Sequence, residues 1–196
     1  MSVNEKEKNV GYCFSCENDT EYEIKEIEET IQVKNKIITV KQYKCICKIC
    51  GEAVTDEKIQ IKNDIIAFDA YKKTMGLLTS EEIKNIRKKY DLSQVNLAKL
   101  LGFGEKSIAR YESGSIQDEA HDLMLKTIQD EFCFMRIWNI NKYKLDQRTV
   151  ERTDLVLYKN FTNNNSLGDN QDIILMTQVE DKKYSINGLG RALSYV

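Results

Sequence analysis

The first long pattern in the chain is a pair of segments rich in β-branched and aromatic residues. They cover residues 22–33 and 36–43, and the polar pair Lys34-Asn35 separates them. Such side chains favour strands, and a short polar break between two such runs favours a turn. The pattern predicts two long antiparallel strands.

Residues 56–75 follow an approximate helical pattern that ends near Gly76. Spacings of three and four residues place apolar side chains on one face of a helix. The members of this face are Ile61, Ile65, Phe68 and Tyr71 or Lys72. We predict a helix that connects the strands to a second domain.

Signals for short helices recur from Thr79 onward. Thr79 and Glu82 match a capping box, and Ser93 is predicted to cap a second helix. Gly102 is predicted to interrupt that helix before a third one over residues 105–112. Two short helices with glycine in the turn between them favour a helix-turn-helix, which presents its second helix to the major groove of DNA.

The remainder of the chain carries weaker signals. Residues 118–134 are predicted to form a fourth helix that buries Leu123, Leu125, Ile128 and Phe132. Trp138 could lie in an extension of that helix that forms a dimer interface, or it could belong to the hydrophobic core. The core position is favoured. A loop over residues 163–170 and a hairpin over residues 173–186 are predicted to follow.

Composition narrows the classes of protein. The 196 residues are 41% hydrophobic and 31% charged, with a net charge of -2 and a mean hydropathy of -0.50. No apolar run exceeds four residues, and the N-terminus is charged where a signal peptide would be apolar. The sequence predicts a cytoplasmic protein of one or two domains, with neither membrane insertion nor secretion.

The single histidine, His121, limits the catalytic mechanisms that the chain could use. Serine or cysteine triads, general-base histidines and two-histidine metal sites would all depend on this one residue. Glu119 and Asp122 lie beside it on a predicted helix, which favours a surface position. The chain is predicted not to be an enzyme.

Two C-x-x-C pairs stand near the start of the chain, Cys13 with Cys16 and Cys47 with Cys50. Without an export signal, pairs at this spacing favour a metal site over disulfides. Four thiolates complete the tetrahedral coordination of one Zn²⁺ ion, so the site is predicted to be structural. Together with the two strands they predict a zinc ribbon.

The two remaining cysteines and the glycine after the second pair have other predicted roles. Cys45 competes with Cys47 as a ligand, but its wider gap to Cys50 favours a position packed beside the site. Cys133 is predicted to be a small buried hydrophobic residue. Gly51 suits a tight turn in which backbone amides approach the sulfurs.

The charge of the predicted helix-turn-helix differs from that of the whole chain. Residues 84–110 contain seven basic residues against Asp91 and Glu105, a net charge of +5. Phosphate contacts favour such a patch, and Lys106 and Arg110, one helical turn apart, are candidates to reach base edges.

These residues also resemble known families. The segments Leu92-Ser93-Gln94, Leu97-Ala98, Leu101-Gly102 and Ser107–Gly114 are similar to the Xre, or lambda-repressor-like, family. With the two C-x-x-C pairs, residues 10 to 132 resemble the MqsA antitoxins of type II toxin-antitoxin modules.

The resemblance implies that the zinc domain binds a toxin, whereas the Xre-type domain dimerises and binds operator DNA. It implies a Cys13, Cys16, Cys47 and Cys50 ligand set, a buried ion pair between Arg87 and Glu112, and DNA contacts from Gln94, Lys106, Ser107 and Arg110.

The expected architecture is therefore an α+β, multi-domain protein. Residues 1–76 are predicted to form the zinc ribbon with its connector helix, residues 77–134 the helix-turn-helix domain, and residues 135–196 a C-terminal extension. The expected function is a dimeric repressor that acts as an antitoxin. The alternative is a phage or mobile-element regulator whose zinc ribbon is only structural and which has no toxin partner.

Overall fold

The computed structural model describes residues 9–164, and it confirms the α+β class. An antiparallel sheet of four strands precedes the helices. The strands are β1 (Val10–Cys13), β2 (Asn18–Val33), β3 (Lys36–Cys47) and β4 (Ala53–Val54). The helices are α1 (Glu57–Thr74), α2 (Ser80–Lys89), α3 (Gln94–Leu101), α4 (Ser107–Glu112), α5 (Glu119–Thr127), α6 (Glu131–Asn141) and α7 (Gln147–Asn164), with a 3-10 turn at Lys142–Lys144 between the last two.

Residues 9–156 belong to one compact unit. Residues 163 and 164, which are predicted to begin a loop, instead belong to the end of α7. The rest of that loop and the hairpin predicted over residues 173–186 lie outside the described residues. No helix between residues 9 and 164 combines the length and apolar character needed to cross a bilayer.

The sheet has the order β1-β2-β3-β4 and forms the ribbon, residues 10–54. β2 and β3 pair from Tyr22 opposite Cys47 to Val33 opposite Lys36, which confirms the two predicted strands. Both strands are longer than predicted, because β1 and β4 extend the pairing at the cysteine end. This pairing brings both C-x-x-C turns to one end of the sheet.

The first turn of α1 is tied to the ribbon by Asp56. Its carboxylate caps the helix by accepting a hydrogen bond of 3.0 Å from the Ile59 amide. The same carboxylate accepts a hydrogen bond of 2.7 Å from the Tyr22 hydroxyl, which lies in the buried core of the ribbon. A helix cap and a core side chain therefore share one acceptor, which sets where α1 begins.

The predicted helix over residues 56–75 is confirmed, but its predicted buried face is only partly right. Ile61 and Phe68 are exposed, whereas Tyr71 and Lys72 are both buried. The helix packs against two different surfaces, the ribbon and the helical domain, so no single stripe describes its buried residues. Ala67 and Tyr71 pack with Val33 of the hairpin.

Lys72 faces the helical domain and is fully buried. Its ammonium donates hydrogen bonds to Asp69 at 3.1 Å and to the Ser80 hydroxyl at 2.9 Å, and lies 3.5 Å from the Tyr111 carbonyl. Burial lowers the pKa of Lys72, and the Asp69 carboxylate opposes that shift. A buried ammonium with these partners joins α1 to α2 and α4.

Asn63 joins α1 to the backbone of β3. Its amide accepts a hydrogen bond of 2.8 Å from the Tyr43 N–H and donates one of 2.8 Å to the Tyr43 carbonyl. The Gln42 side chain also donates to the Asn63 carbonyl at 3.3 Å. The side chain of Asn63 thus replaces a neighbouring strand at this point of the sheet edge.

We expect Asn63→Ala to lower the free energy of unfolding by about 1–3 kcal/mol, because both backbone groups of Tyr43 lose their partner at a part-buried position. Urea unfolding of the full chain measures the change. Gln60→Ala, at an exposed position of the same helix, is the control and should have a small effect. Equal effects of the two substitutions would contradict the role of Asn63.

The prediction of a single helix over residues 118–134 is wrong. α5 ends at Thr127, and α6 starts after Asp130, whose carboxylate accepts a hydrogen bond of 2.9 Å from the Cys133 amide. Asp130 satisfies a free amide at the start of a new helix, so a break is favoured there. Each helix therefore has its own buried face, with Leu125 on α5 and Phe134 and Trp138 on α6.

This break explains which apolar side chains are buried. Leu125 and Ile128 are fully buried as predicted, but Leu123 is 66% exposed and Phe132 is 54% exposed. Cys133 is only half-buried, which corrects the prediction of a buried residue.

Trp138 lies in the core, as favoured from the sequence, with its indole N–H 2.6 Å from Asp154. α6 also stacks Phe134 on Tyr90 at a centroid distance of 3.5 Å. The end of α6 and the start of α7 pack along α3: Asn141 donates to the Leu100 carbonyl at 2.9 Å, and Asn96 donates to the Thr149 hydroxyl at 3.1 Å. Residues well beyond position 134 therefore contact the helix-turn-helix.

Candidate metal site and helix-turn-helix

Four cysteine sulfurs form a tight group at one end of the ribbon. Cys13 closes β1 and Cys47 closes β3, while Cys16 and Cys50 lie in the turns that follow these strands. All four sulfurs lie within 4.8 Å of one another. The predicted pairs, which have 30 residues between them in the chain, are therefore brought together by strand pairing.

The sulfur separations match a tetrahedral metal site. The Cys13 and Cys50 sulfurs are 3.5 Å apart, and the Cys16 and Cys47 sulfurs are 3.9 Å apart. Ligands about 2.3 Å from a tetrahedral centre are about 3.8 Å from each other. The group is thus a candidate metal site with four sulfur ligands.

Hydrogen bonds around Cys47 favour its thiolate. The Thr20 hydroxyl lies 3.2 Å from the Cys47 sulfur, and the Ile49 amide donates to it at 3.4 Å. The hydrogen bond with Thr20, which has the largest effect, and the backbone hydrogen bonds lower the pKa of Cys47 to about 6. Thr20 was not identified from the sequence, because it lies outside both C-x-x-C turns.

The four thiols cannot all ionise easily by themselves. The hydrogen bond with Cys50, followed by burial, raises the pKa of Cys16 to about 12. Hydrogen bonding within the group and burial therefore keep the proton on Cys16, whereas hydrogen bonds to Cys47 favour its thiolate. A bound cation removes this conflict, so the chemistry of the sulfur group fits a metal ion.

Cys45 lies in the core next to this group. It is buried with Cys13, Tyr22 and Val54, and burial raises the pKa of its thiol. Gly51 follows the second pair with φ of 80°, in the left-handed region that glycine adopts without strain. The corresponding residue after the first pair, Glu17, has φ of 50°.

The helix-turn-helix consists of α3 and α4. Ser93 caps α3 with a hydrogen bond of 3.1 Å from the Asn96 amide, and Gly102 ends it with φ of 74°, as the sequence predicts. α4 starts at Ser107 rather than Glu105, because Gly104 and the residues after it form a turn. The capping box of Thr79 and Glu82 is formed at the start of α2.

Arg87 and Glu112 form the ion pair that the resemblance implies. Two guanidinium nitrogens of Arg87 donate to the carboxylate at 2.5 and 2.8 Å. Gln94 donates to the same carboxylate at 2.8 Å. Burial by itself would raise the pKa of Glu112, but the hydrogen bonds from Arg87 and Gln94 lower it.

α4 has one buried and one exposed face. Ile108 and Tyr111 are buried, whereas Lys106 and Arg110 are exposed. Ser107 is half-buried. The two basic side chains that were singled out from the sequence therefore lie on the solvent side of the helix.

Not every basic residue counted in the +5 patch is available on the surface. Arg87 is held by Glu112, and Lys89 pairs with Glu131 at 3.2 Å. Lys88 and Lys99 are exposed. The basic surface is therefore smaller than the sequence count implies.

His121 is half-buried rather than a surface residue. Its ring stacks on Phe103 at a centroid distance of 3.7 Å, and its Nδ1 lies 2.7 Å from the Tyr111 hydroxyl. The ring thus connects α5 to the turn and to α4 of the helix-turn-helix. Sequence reasoning missed this contact because its partners are distant in the chain.

A family model described as the antitoxin component of the bacterial toxin-antitoxin system, MqsA, matches residues 12–135. The chain belongs to the MqsA antitoxin family. No curated protein matches it. The match includes the four clustered cysteines of this MqsA-family antitoxin and its helix-turn-helix, whereas most of α6 and all of α7 lie beyond the match.

Proposed function

We propose that this MqsA-family protein is a dimeric, non-enzymatic repressor in the cytoplasm. Its helix-turn-helix binds palindromic operator DNA, and its ribbon binds and blocks a toxin. The exposed face of α4, with Lys106 and Arg110 over a buried Ile108, is the observation that carries the DNA-binding half. Membership of the antitoxin family supports the toxin-binding half.

The ribbon holds one structural Zn²⁺ ion through Cys13, Cys16, Cys47 and Cys50. Four sulfur ligands leave no open coordination position for a substrate, so the ion stabilises the fold and performs no catalysis. Thr20 supports the site by donating to one ligand. Measurement of zinc in the purified protein, with one ion expected per chain, tests this assignment.

DNA binding uses α4 in the major groove. Arg110 donates two hydrogen bonds to a guanine, and Lys106 reaches a neighbouring base edge. Gln94 and Ser107 contact phosphates. One N–H of the Gln94 amide is committed to Glu112, which leaves the second N–H for a phosphate oxygen.

We expect Arg110→Ala to weaken operator binding by about 1–3 kcal/mol while leaving nonspecific binding largely unchanged. Gel-shift titrations on operator and unrelated DNA at one salt concentration measure both affinities. Lys88→Ala, an exposed basic residue of α2, is the control and should weaken both affinities to the same small extent. Equal losses on both DNAs with Arg110→Ala would reject base reading.

Toxin binding is tested by co-purification. The product of the neighbouring gene is expressed with the full chain, and the complex is analysed for stoichiometry and zinc content. A stable complex that suppresses the toxicity of the partner supports the antitoxin function. Absence of a complex would favour the regulator without a toxin partner.

A further inference from the structure

The two long strands of the ribbon have different outer edges. β3 is covered on its outer side from Tyr43 to Ile46: Cys45 and Ile46 pair with β4, and Tyr43 is bonded through both backbone groups to Asn63. β2 pairs with β1 only up to Glu21. Beyond that residue, no other strand in the described part of the chain lies along its outer side.

The hydrogen-bond pattern identifies which backbone groups face this edge. Tyr22 donates outward to the Asn9 carbonyl, and Tyr43, which pairs with Glu26, also points away from the partner strand. In antiparallel pairs the outward direction recurs at every second residue. The outward residues are therefore Ile24, Glu26, Glu28, Thr30 and Gln32, which we call the β2 edge.

The β2 edge is acidic. Four exposed glutamates lie between residues 23 and 29, with Lys25 as the single basic residue among them. Lys41 on β3 pairs with Glu26 at 2.9 Å, which neutralises part of this charge. The covered strand β3 carries lysines instead, so the charge of the ribbon is concentrated along its open side.

A second copy of the chain meets like charges at the middle of this edge, and only a register shifted toward the hairpin end, such as one centred on Thr30 with Glu26 opposite Lys34, avoids them. In a twofold antiparallel pairing, every register centred on a residue from 26 to 29 puts a glutamate opposite a glutamate. Like charges directly opposite each other are destabilising. A strand with basic side chains removes this repulsion and forms ion pairs.

We propose that the β2 edge binds an edge strand of the toxin, which adds to the ribbon as a further antiparallel strand. This inference rests on the proposed antitoxin function and names the surface used. The toxin strand carries basic residues on the face shared with Glu26 and Glu28, because side chains two residues apart lie on one face. Its other face is apolar and packs next to the half-buried Ile27 and Ile31.

Hydrogen exchange of the free protein gives the first test. Backbone amides of Glu26, Glu28 and Thr30 should exchange rapidly, and those of Ile27 and Ile31, which bond to β3, slowly. Slow exchange at both sets would mean that another part of the chain, such as residues 1–8, already covers the edge, and would overturn the proposal. The same test on a variant lacking residues 2–8 identifies that covering segment.

Proline substitution gives the second test. Glu28→Pro removes an outward N–H and should weaken toxin affinity about tenfold or more in calorimetry, while zinc content and far-UV circular dichroism stay unchanged. Lys41→Pro removes the outward N–H directly opposite, on β3, and also releases Glu26 from its ion pair, so it should not weaken the binding of a basic strand. Glu28→Ala keeps the N–H and separates the loss of charge from the loss of backbone pairing.

The outcomes distinguish this inference from the proposed function. If the wild-type protein binds the toxin and the Glu28→Pro and Lys41→Pro variants bind it with equal affinity, the β2 edge is not the binding surface. The antitoxin function would then remain supported. If the neighbouring gene product does not bind, a ten-residue peptide of alternating lysine and valine is the probe. Slowed exchange of the Glu28 amide with this peptide supports a strand-accepting edge, and unchanged exchange rejects it.

Discussion

Cys16→Ser will abolish metal binding and unfold the ribbon, while the helical domain remains folded. At the cysteine end of the ribbon the buried core consists of Cys13, Tyr22, Cys45, Cys47 and Val54, and two of these belong to the group of four cysteines. So little buried apolar surface cannot hold a long hairpin. Metal binding to such modules contributes on the order of 10 kcal/mol to folding, and this contribution is lost with one ligand.

Zinc analysis and hydrogen exchange of the β2 and β3 amides measure this result. A strong chelator added to the wild-type protein should have the same effect. Cys133→Ser is the matched control, since Cys133 is half-buried in α6 and lies outside the sulfur group. Slow exchange throughout β2 in metal-free Cys16→Ser protein would contradict the structural role of the metal.

Arg87→Ala will lower the free energy of unfolding of the helical domain by about 3–5 kcal/mol. The side chains of Arg87 and Glu112 are only 16% and 5% exposed, so the substitution leaves a buried carboxylate without its charged partner. Gln94 alone cannot compensate for the lost charge. Glu112 ends α4, and we therefore expect a weaker operator affinity as well.

Urea unfolding of Arg87→Ala, Glu112→Gln and the double variant measures the coupling between the two residues. Lys88→Ala, at the next position and exposed, is the control. A double variant as unstable as the sum of the two single variants would show that the pair acts independently and would reject the ion pair as the cause.

The same ion pair predicts a pH dependence. The pKa of Glu112 is lowered below its ordinary value of 4.5 in the folded protein. The stabilisation is therefore fully present above that ordinary value and is lost as the pH falls through the lower folded-state pKa. Acid unfolding of wild-type protein should show this loss, and Arg87→Ala should show a smaller one.

Several features followed directly from short stretches of sequence. The C-x-x-C spacing, the capping box at Thr79 and the glycine turn at Gly102 each depend on residues a few positions apart. Their geometry is decided by local backbone conformation and hydrogen bonds, so it can be inferred without knowing the fold.

Predictions of buried faces were less successful. The sequence pattern predicts that Phe132 is buried with Leu125, yet Asp130 starts a new helix between them, and that helix buries Phe134 and Trp138 instead. Asn63 shows the opposite error, since this polar residue on α1 is buried because the backbone of the distant Tyr43 satisfies its side chain. No local pattern indicates such partners.

The sequence by itself determined the four sulfur ligands, the antiparallel hairpin and the order of the helix-turn-helix, because spacing and capping act within a few residues. The tertiary structure decided which basic residues stay exposed and how residues after position 134 pack along α3. It also decided that Asn63 covers β3 at Tyr43, while none of the strands between residues 9 and 164 lies along the β2 edge. These features depend on contacts between residues far apart in the chain, whose partners are known only once the elements have packed.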